Sequence, residues 1–401
     1  MREMILKQNP WWEGKKDFHI EKWEKMRIRW VPKWIDSLSL SPFSLNFIIG
    51  ARQTGKTTGI KLLINKLIEK ERKEAVFYFD CTILTNFKDL KRVIDEYLEI
   101  KKVEKIENSF IFLDEISNVE EWWRVIKSYI DMGIFKNDVL TVSGSSSLQL
   151  KKHAELFPGR RGNGKNIKVF PLSFREFLEI NGIKLDFSNN FEENMKKTWK
   201  KEREIKELFK VYLEKGGYPL SINDYPEAST EIISSIQSEI LKAGKSIELS
   251  KEIIGSILRK SPSPLSFSTI GNDIGISYKT VQEYVETFKN LFLMGIALFK
   301  EKNVKWRKER KFFFLDPFLA RSLASWVGEK FLDSALYEWV VQSHLMRKFE
   351  NIYYYRNSYE IDCLAGDLKI EVKAGKPHRK YPKDVIVLDE ENLPLFLASI
   401  V

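Results

Sequence analysis

Cysteine is almost absent: Cys81 and Cys363 are the only two in 401 residues, far apart and each inside an apolar, strand-like run. Two such thiols support neither a disulfide framework nor a cysteine-based zinc site, and they fit a reducing cytosol. Histidine is scarce as well. His19, His153, His344 and His378 are isolated from one another, each more readily a surface or core residue than a ligand. No apolar run approaches the roughly 18 residues of a membrane span, and the stretch from Met1 to Lys7, followed by Gln8-Asn9-Pro10-Trp11-Trp12, has no apolar leader region. The expectation is a cytoplasmic chain, with association with the nucleoid open. Internal repeats and low-complexity segments are also missing.

What is present is size, apolar mass and a surplus of positive charge. At 401 residues the chain exceeds the length at which one core keeps growing, so two to four domains are expected. The apolar fraction of 43% is ample for folded cores. Lys and Arg number 66 against 56 Asp and Glu, a formal charge of +10. Such a balance suits a polyanionic partner, nucleic acid or a membrane surface, or else a solvated Lys/Glu-rich surface of the thermophile kind.

Residues 1–40 carry five tryptophans (Trp11, Trp12, Trp23, Trp30, Trp34) among lysines. This arm either packs on the neighbouring domain or stacks nucleic-acid bases. Next, from about residue 41 to 180, apolar strand-like runs (Leu45 to Ile49, Ala75 to Phe79, Phe110 to Leu113, Val139 to Ser143, Ile167 to Phe170) alternate with amphipathic helices. That alternation predicts a parallel sheet with a ligand at the carboxyl ends of its strands. Residues 181–228 form a charged helical segment ending in the breaker Gly216-Gly217-Tyr218-Pro219. Residues 229–323 have the layout of a winged helix: short helices, the turn Ile274-Gly275-Ile276, a helix from Ser277 to Asn290, and strands near Ile296 to Phe299 and Phe312 to Leu315. A last α/β module, residues 324–401, reads as a helix from Phe331 to Arg347 followed by strands at Ile352 to Tyr355, Ile361 to Leu364 and Leu368 to Val372.

The sharpest motif is Gly50-Ala51-Arg52-Gln53-Thr54-Gly55-Lys56-Thr57-Thr58, placed between the strand-like Phe47-Ile48-Ile49 and the helix-like Ile60 to Lys70. That context is the one a phosphate-binding P-loop requires. Glycines at its first and sixth positions let the backbone wrap a phosphate, Lys56 neutralises the β/γ oxygens of ATP, and the Thr57 hydroxyl is placed to ligate Mg²⁺. The apolar strand Phe110 to Leu113 ends in Asp114-Glu115. There Asp114 would hold the Mg²⁺ and Glu115 would polarise the attacking water as general base. Gly144-Ser145-Ser146-Ser147 offers hydroxyls to the γ-phosphate, or is a serine-rich turn. Gly159-Arg160-Arg161-Gly162 offers a catalytic arginine from Arg160 or Arg161, in trans to a neighbouring subunit, or is a solvated basic loop.

Partner choice rests on the winged-helix segment. Its helix would enter a major groove led by Ser277, Tyr278, Lys279, Thr280 and Gln282, unless the segment only packs on the ATPase. The loop Lys300 to Lys311 holds seven basic residues (Lys300, Lys302, Lys305, Arg307, Lys308, Arg310, Lys311), two glutamates and Trp306, a density that fits phosphate contact with DNA.

Together with Pro158-Gly159-Arg160 and Pro171-Leu172-Ser173-Phe174-Arg175-Glu176-Phe177, these motifs resemble those of AAA-like archaeal and bacterial ATPases that carry a winged helix and a C-terminal domain of unknown function with a nuclease-like core. The resemblance implies an α/β P-loop NTPase fold with a parallel sheet, a helical lid, a winged helix and a restriction-endonuclease-like C-terminal domain. It also implies a homo-oligomer and a place for Gly217 to Pro219 over the nucleotide base. In the last module Glu338, Asp362, Glu371 and Lys373 resemble the PD-(D/E)XK nuclease core, although Ile361 stands where that core has proline. The resemblance implies that Glu338, Asp362 and Glu371 gather Mg²⁺ and that Lys373 steadies the attacking water, the two last side chains sharing a strand face by their spacing of two. The function so expected is an ATP-hydrolysing, DNA-binding protein, branched or junction DNA included, with cleavage open. The alternative is a nucleotide-switched regulatory or protein-interaction ATPase that does not cut.

Overall fold

The computed structural model describes residues 1–145, 157–188, 191–357, 359–375 and 381–400. The chain forms two compact units, Met1–Phe170 and Pro171–Val401. The first is built on five parallel strands: β1 (Ser44–Gly50), β2 (Val76–Asp80), β3 (Phe110–Asp114), β4 (Val139–Gly144) and β5 (Asn166–Val169). Their order across the sheet is β2-β3-β4-β1-β5, so β4 is inserted between the strands that carry Gly50 and Asp114. β1 is buried along its whole length, as a central strand covered on both faces must be.

One face of this sheet packs on the helix Lys56–Leu67 through Ile48, Val76, Tyr78, Phe112, Ile60, Leu63 and Ile64. The N-terminal arm completes the same core with Trp11, Ile35 and Leu38. Of the two readings of the arm, its tryptophans take the packing one. β2 is an edge strand whose backbone groups would face an apolar shell unpaired, and the arm supplies their partners. Trp11 and Trp12 each donate from Nε1 to the Val76 carbonyl, at 3.0 and 3.1 Å. Asn9, fully buried, accepts from the Tyr78 N–H at 2.8 Å and donates to the Tyr78 carbonyl at 2.9 Å. Gln8 accepts from the Asp80 N–H. Side chains thus replace a sixth strand.

The second unit holds a six-stranded mixed sheet in the order β11-β10-β9-β8-β6-β7, made of β6 (Met294–Phe299), β7 (Arg310–Phe314), β8 (Tyr353–Arg356), β9 (Glu360–Ala365), β10 (Leu368–Val372) and β11 (Ile386–Leu388). The sequence reading separates a winged helix from a last module at residue 323. In the structure their strands are continuous, because Leu298 and Phe299 of β6 pair in parallel with Tyr353 and Tyr354 of β8. β11, absent from the expected elements, extends the far edge beside β10. The charged helical stretch consists of two helices, Phe191–Trp199 and Glu202–Lys215.

The motif from Pro171 to Phe177 opens this second unit and contains a capping box: Ser173 accepts from the Glu176 N–H while Glu176 accepts from the Ser173 N–H. The breaker Gly216-Gly217 is held against it. A Cβ on Gly217 would lie 2.1 Å from the Leu172 carbonyl oxygen, and one on Gly216, whose φ is +58°, would lie 2.2 Å from Asp316 Oδ1. The buried Asp316 carboxylate accepts from the Gly217 N–H at 2.7 Å and from the Leu319 N–H at 3.1 Å, so one acid both clasps the turn and caps the helix Pro317–Val327.

Two predictions arise from these contacts. Asn9→Ala leaves the buried Tyr78 amide groups without partners and is expected to cost about 2–4 kcal/mol in urea unfolding. Burial pushes the Asp316 carboxyl up to about 6 from its ordinary 3.8, against the pull of its backbone donors. A carboxyl raised on folding contributes stability that is complete below pH 4 and is lost as pH rises through about 6. The advantage of the parent over Asp316→Asn should therefore fall by about 2 kcal/mol between pH 4 and pH 7 in parallel urea titrations.

Candidate functional site

At the carboxyl end of β1 the chain turns through residues 51–55, with Gln53 at φ +61° and Gly55 at φ +86°. The second glycine of the motif is thus required by left-handed backbone. The first has a different reason: a Cβ on Gly50 would lie 2.2 Å from the Val169 carbonyl oxygen, so this glycine lets β5 approach β1. Thr54 Oγ1 closes the loop by donating to the Ala51 carbonyl at 2.8 Å. The helix Lys56–Leu67 starts with no side-chain cap, so its first-turn N–H groups and dipole are directed at the loop. Lys56 is buried and folds back on the loop, its Nζ 3.0 Å from the Gly50 carbonyl and 2.9 Å from that of Ala51. Arg52 and Thr58 flank the turn, both partly exposed.

The acidic strand tip meets this loop. Thr57 Oγ1 donates to Asp114 Oδ2 at 2.7 Å. The same oxygen accepts from the Tyr78 hydroxyl at 3.0 Å, and Oδ1 accepts from the Ser143 hydroxyl. Glu115 sits in left-handed backbone at φ +50°. Its N–H donates to Ser143 Oγ at 3.0 Å, its Oε2 accepts from the Ser145 N–H at 3.2 Å, and its Oε1 lies 3.7 Å from Lys56 Nζ. The residues read from the motifs are therefore brought together, and the contact to Ser145 is through its backbone. Ser146 and Ser147 lie outside the described residues.

Sequence reasoning missed Ser143 and Tyr78. Ser143 is the polar member of an otherwise apolar strand end, which marks it, but only the insertion of β4 between β1 and β3 gives it Asp114. Tyr78 reads as one more core aromatic. For a magnesium-bound nucleotide triphosphate the residues fit: a loop of N–H groups, a buried ammonium, and two oxygens of metal-ligating type, Thr57 Oγ1 and Asp114 Oδ2, in contact.

The two arginines are engaged within the first unit. Arg160 Nε pairs with Asp131 Oδ1 at 2.5 Å. Arg161 lies over the Phe47 ring, 5.0 Å from its centroid, and donates to the Gly164 carbonyl at 3.3 Å. Gly217 and Pro219 belong to the second unit, where Gly217 is clasped by Asp316 and Pro219 begins the short helix Pro219–Ile222.

The carboxylates of the last module are arranged otherwise than the nuclease resemblance implies. Lys311, counted among the loop's phosphate-contacting bases, is buried on β7 with its Nζ 2.5 Å from Asp362 Oδ1, 3.0 Å from Glu338 Oε1 and 3.0 Å from Glu360 Oε1. Gln342 Nε2 ties Glu338 Oε1 (2.7 Å) to the Asp362 carbonyl (3.2 Å), and Asp362 Oδ2 accepts from the Val372 N–H at 2.8 Å. Glu371 instead pairs with Lys373 and accepts from the Tyr381 hydroxyl at 3.0 Å. Burial, then the Asp362 charge, push the Glu371 carboxyl up to about 7. Among the described residues no group of three or more His, Cys, Asp or Glu is placed to share a metal ion. The expected set Glu338, Asp362 and Glu371 is thus divided, because the pairing of β7 with β6 delivers an ammonium between the first two.

In the segment read from sequence as a winged helix, the helix Tyr278–Asn290 is capped by Ser277, whose Oγ accepts from the Thr280 N–H at 3.1 Å. Its exposed face carries Tyr278, Lys279 and Gln282, with Thr280 partly exposed, but also Glu283 and Glu286, which pair with Lys245 and Lys289. In the loop before β7, Lys302, Lys305, Trp306, Arg307 and Lys308 are exposed, Trp306 at 71%. Arg310 is half-buried, stacked 3.9 Å over the Phe267 ring. Among the described residues no helix is long and apolar enough to cross a membrane.

Comparison with known proteins agrees with this geometry. Residues 43–178 match the family model of an AAA domain, and residues 206–330 match a domain of unknown function (DUF8612). An uncharacterised protein of Haemophilus influenzae is 22% identical over 384 residues, covering 88% of each chain. An uncharacterised ATP-binding protein of Methanocaldococcus jannaschii is 33% identical over 110 residues, 27% of this chain and 29% of that one. Among solved structures, the Aeropyrum pernix ORC2 protein, in ADPNP-ADP complexes, aligns with a TM-score of 0.40 at 13% identity, covering 72% of this chain and 89% of that chain. The loop, the buried lysine and the paired acids all lie within residues 43–178, the stretch that matches the AAA-domain model.

Proposed function

We propose that the protein hydrolyses ATP and couples nucleotide state to a grip on DNA, without cutting it. The observation that carries the first half is the convergence of Lys56, Thr57, Asp114, Glu115 and Ser143 at the ends of β1, β3 and β4. The loop N–H groups from Gly50 through Thr58 and Lys56 would hold the phosphates, Thr57 and Asp114 would hold Mg²⁺, and the bound metal-nucleotide supplies a polarised γ-phosphoryl group. Glu115 is oriented at its N–H by Ser143 and takes the proton of the attacking water. Because Ser143 joins Asp114 to the Glu115 backbone, a shift of either acid is transmitted to the other. We read the assembly as a homo-oligomer in which Arg160 or Arg161 reaches a neighbouring subunit's γ-phosphate, after release of the Asp131 pair in the case of Arg160.

The DNA contact is supported by the exposed cluster Lys302, Lys305, Trp306, Arg307 and Lys308 and by the exposed residues Tyr278, Lys279 and Gln282, with Thr280, at the start of the Tyr278–Asn290 helix. Arg310 braces that loop, donating to the Trp306 carbonyl at 3.0 Å. The non-cutting reading is favoured by Lys311. An ammonium between Glu338 and Asp362 satisfies the charges a metal would satisfy, and Lys373 is paired with Glu371.

Lys56→Ala is expected to lower nucleotide affinity at least tenfold in calorimetry, whereas Glu115→Gln should bind nucleotide normally and lose about 10²-fold or more in hydrolysis rate. A parent-like rate in Glu115→Gln would remove it from the role of base. Exchanging Lys305, Arg307 and Lys308 for alanine together should reduce the slope of log affinity against log salt for duplex DNA by about 2–3, and an unchanged slope would exclude the loop. In Mg²⁺ the parent should leave duplex, forked and four-way DNA intact in a gel assay, and metal-dependent cuts lost in Asp362→Asn would restore the nuclease reading.

A further inference from the structure

The P-loop helix carries a second buried lysine that the nucleotide chemistry does not use. Lys61 is 3% exposed, one turn beyond Thr57. Its Nζ lies 3.3 Å from the centroid of the Tyr78 ring and 4.9 Å from that of Trp11. Its counter-ion comes from the N-terminal arm: Asp17 Oδ2 at 2.9 Å. Asp17 is itself fixed as the cap of the helix Phe18–Glu24, its other oxygen accepting from the His19 N–H at 2.8 Å. Beyond the ring, the Tyr78 hydroxyl donates to the same Asp114 oxygen that Thr57 contacts. Asp17, Lys61, Tyr78, Asp114 and Thr57 therefore form one continuous chain from the arm to the oxygens of the metal position.

A carboxylate at a strand tip turns freely about its last two bonds unless hydrogen bonds hold it. Ser143 holds Oδ1 and Tyr78 is the buried group that holds Oδ2 from the side opposite solvent. A cation stacked on the ring pins its plane, and is itself stable in that apolar shell only while Asp17 faces it.

Resting on the nucleotide-site reading above, we infer that Tyr78 is a positioning residue for the divalent metal, and that Asp17 of the N-terminal arm acts on the metal through Lys61 and Tyr78. The arm is then a part of the ATPase site and not only a cover for its sheet.

The test is calorimetric titration of the full chain with a non-hydrolysable ATP analogue at stepped Mg²⁺ concentrations and in EDTA. Tyr78→Phe removes one hydroxyl and keeps the ring. It should raise the Mg²⁺ concentration for half-maximal tightening about tenfold while leaving affinity in EDTA unchanged. Asp17→Asn should move the same midpoint in the same direction by about threefold, and carries the test alone if the tyrosine variant does not fold. A merely structural role would weaken binding equally with and without metal, and that result, or parent-like midpoints in both variants, overturns the inference. A parent that binds no nucleotide in either condition would instead overturn the nucleotide-site reading itself.

Discussion

Asp114 is the point on which the first unit turns. Its two oxygens accept hydroxyl protons from Thr57 on the P-loop helix, Tyr78 on β2 and Ser143 on β4. A carboxylate so buried costs several kcal/mol to desolvate, and it is tolerated because both oxygens have donors. The same bonds bring into register three elements widely separated in sequence. Sheet order makes this possible: β4 lies between β1 and β3, so one short side chain at its end reaches both the Asp114 carboxylate and the Glu115 amide. Site geometry and sheet topology are here the same fact.

The second unit solves a comparable problem with a cation. Glu338, Glu360 and Asp362 would repel one another at the end of β9 were Lys311 not between them. Burial alone would lower the Lys311 ammonium. Burial still pushes the Glu338 carboxyl up, but for Lys311 the surrounding acids outweigh burial and lift the ammonium well above its usual range. Removing Lys311 would leave the buried carboxylates without their cation, a far larger penalty than losing a surface pair. The cluster also joins the two halves of the sheet, since Lys311 comes from β7 and the acids from β9 and the helix Asp333–Phe349.

Much of the fold was legible in the sequence. All five strands of the first sheet are found within a residue or two of their expected places, since β1 to β4 are apolar runs bounded by polar turns and β5 alternates polar and apolar residues. The P-loop, Asp114 and Glu115 were legible because their chemistry is carried by neighbours in sequence. Lys311 was misread for a physical reason: a lysine in a basic loop and a lysine at the first inward position of a strand have the same local sequence, and only the strand's pairing decides its face. The glutamates on the Tyr278–Asn290 helix likewise share its exposed face with the residues expected to touch DNA.

What the sequence by itself determined is everything set by short range: the phosphate loop, its lysine, the acidic strand tip, the helix caps, and an arm too aromatic to remain in water. What the tertiary structure alone decided is which distant groups meet. Asp17 finds Lys61, Tyr78 finds Asp114, and Lys311 enters among the carboxylates, because strand order and pairing register are settled by burial summed over whole faces of a sheet, and no local spacing of residues encodes that sum.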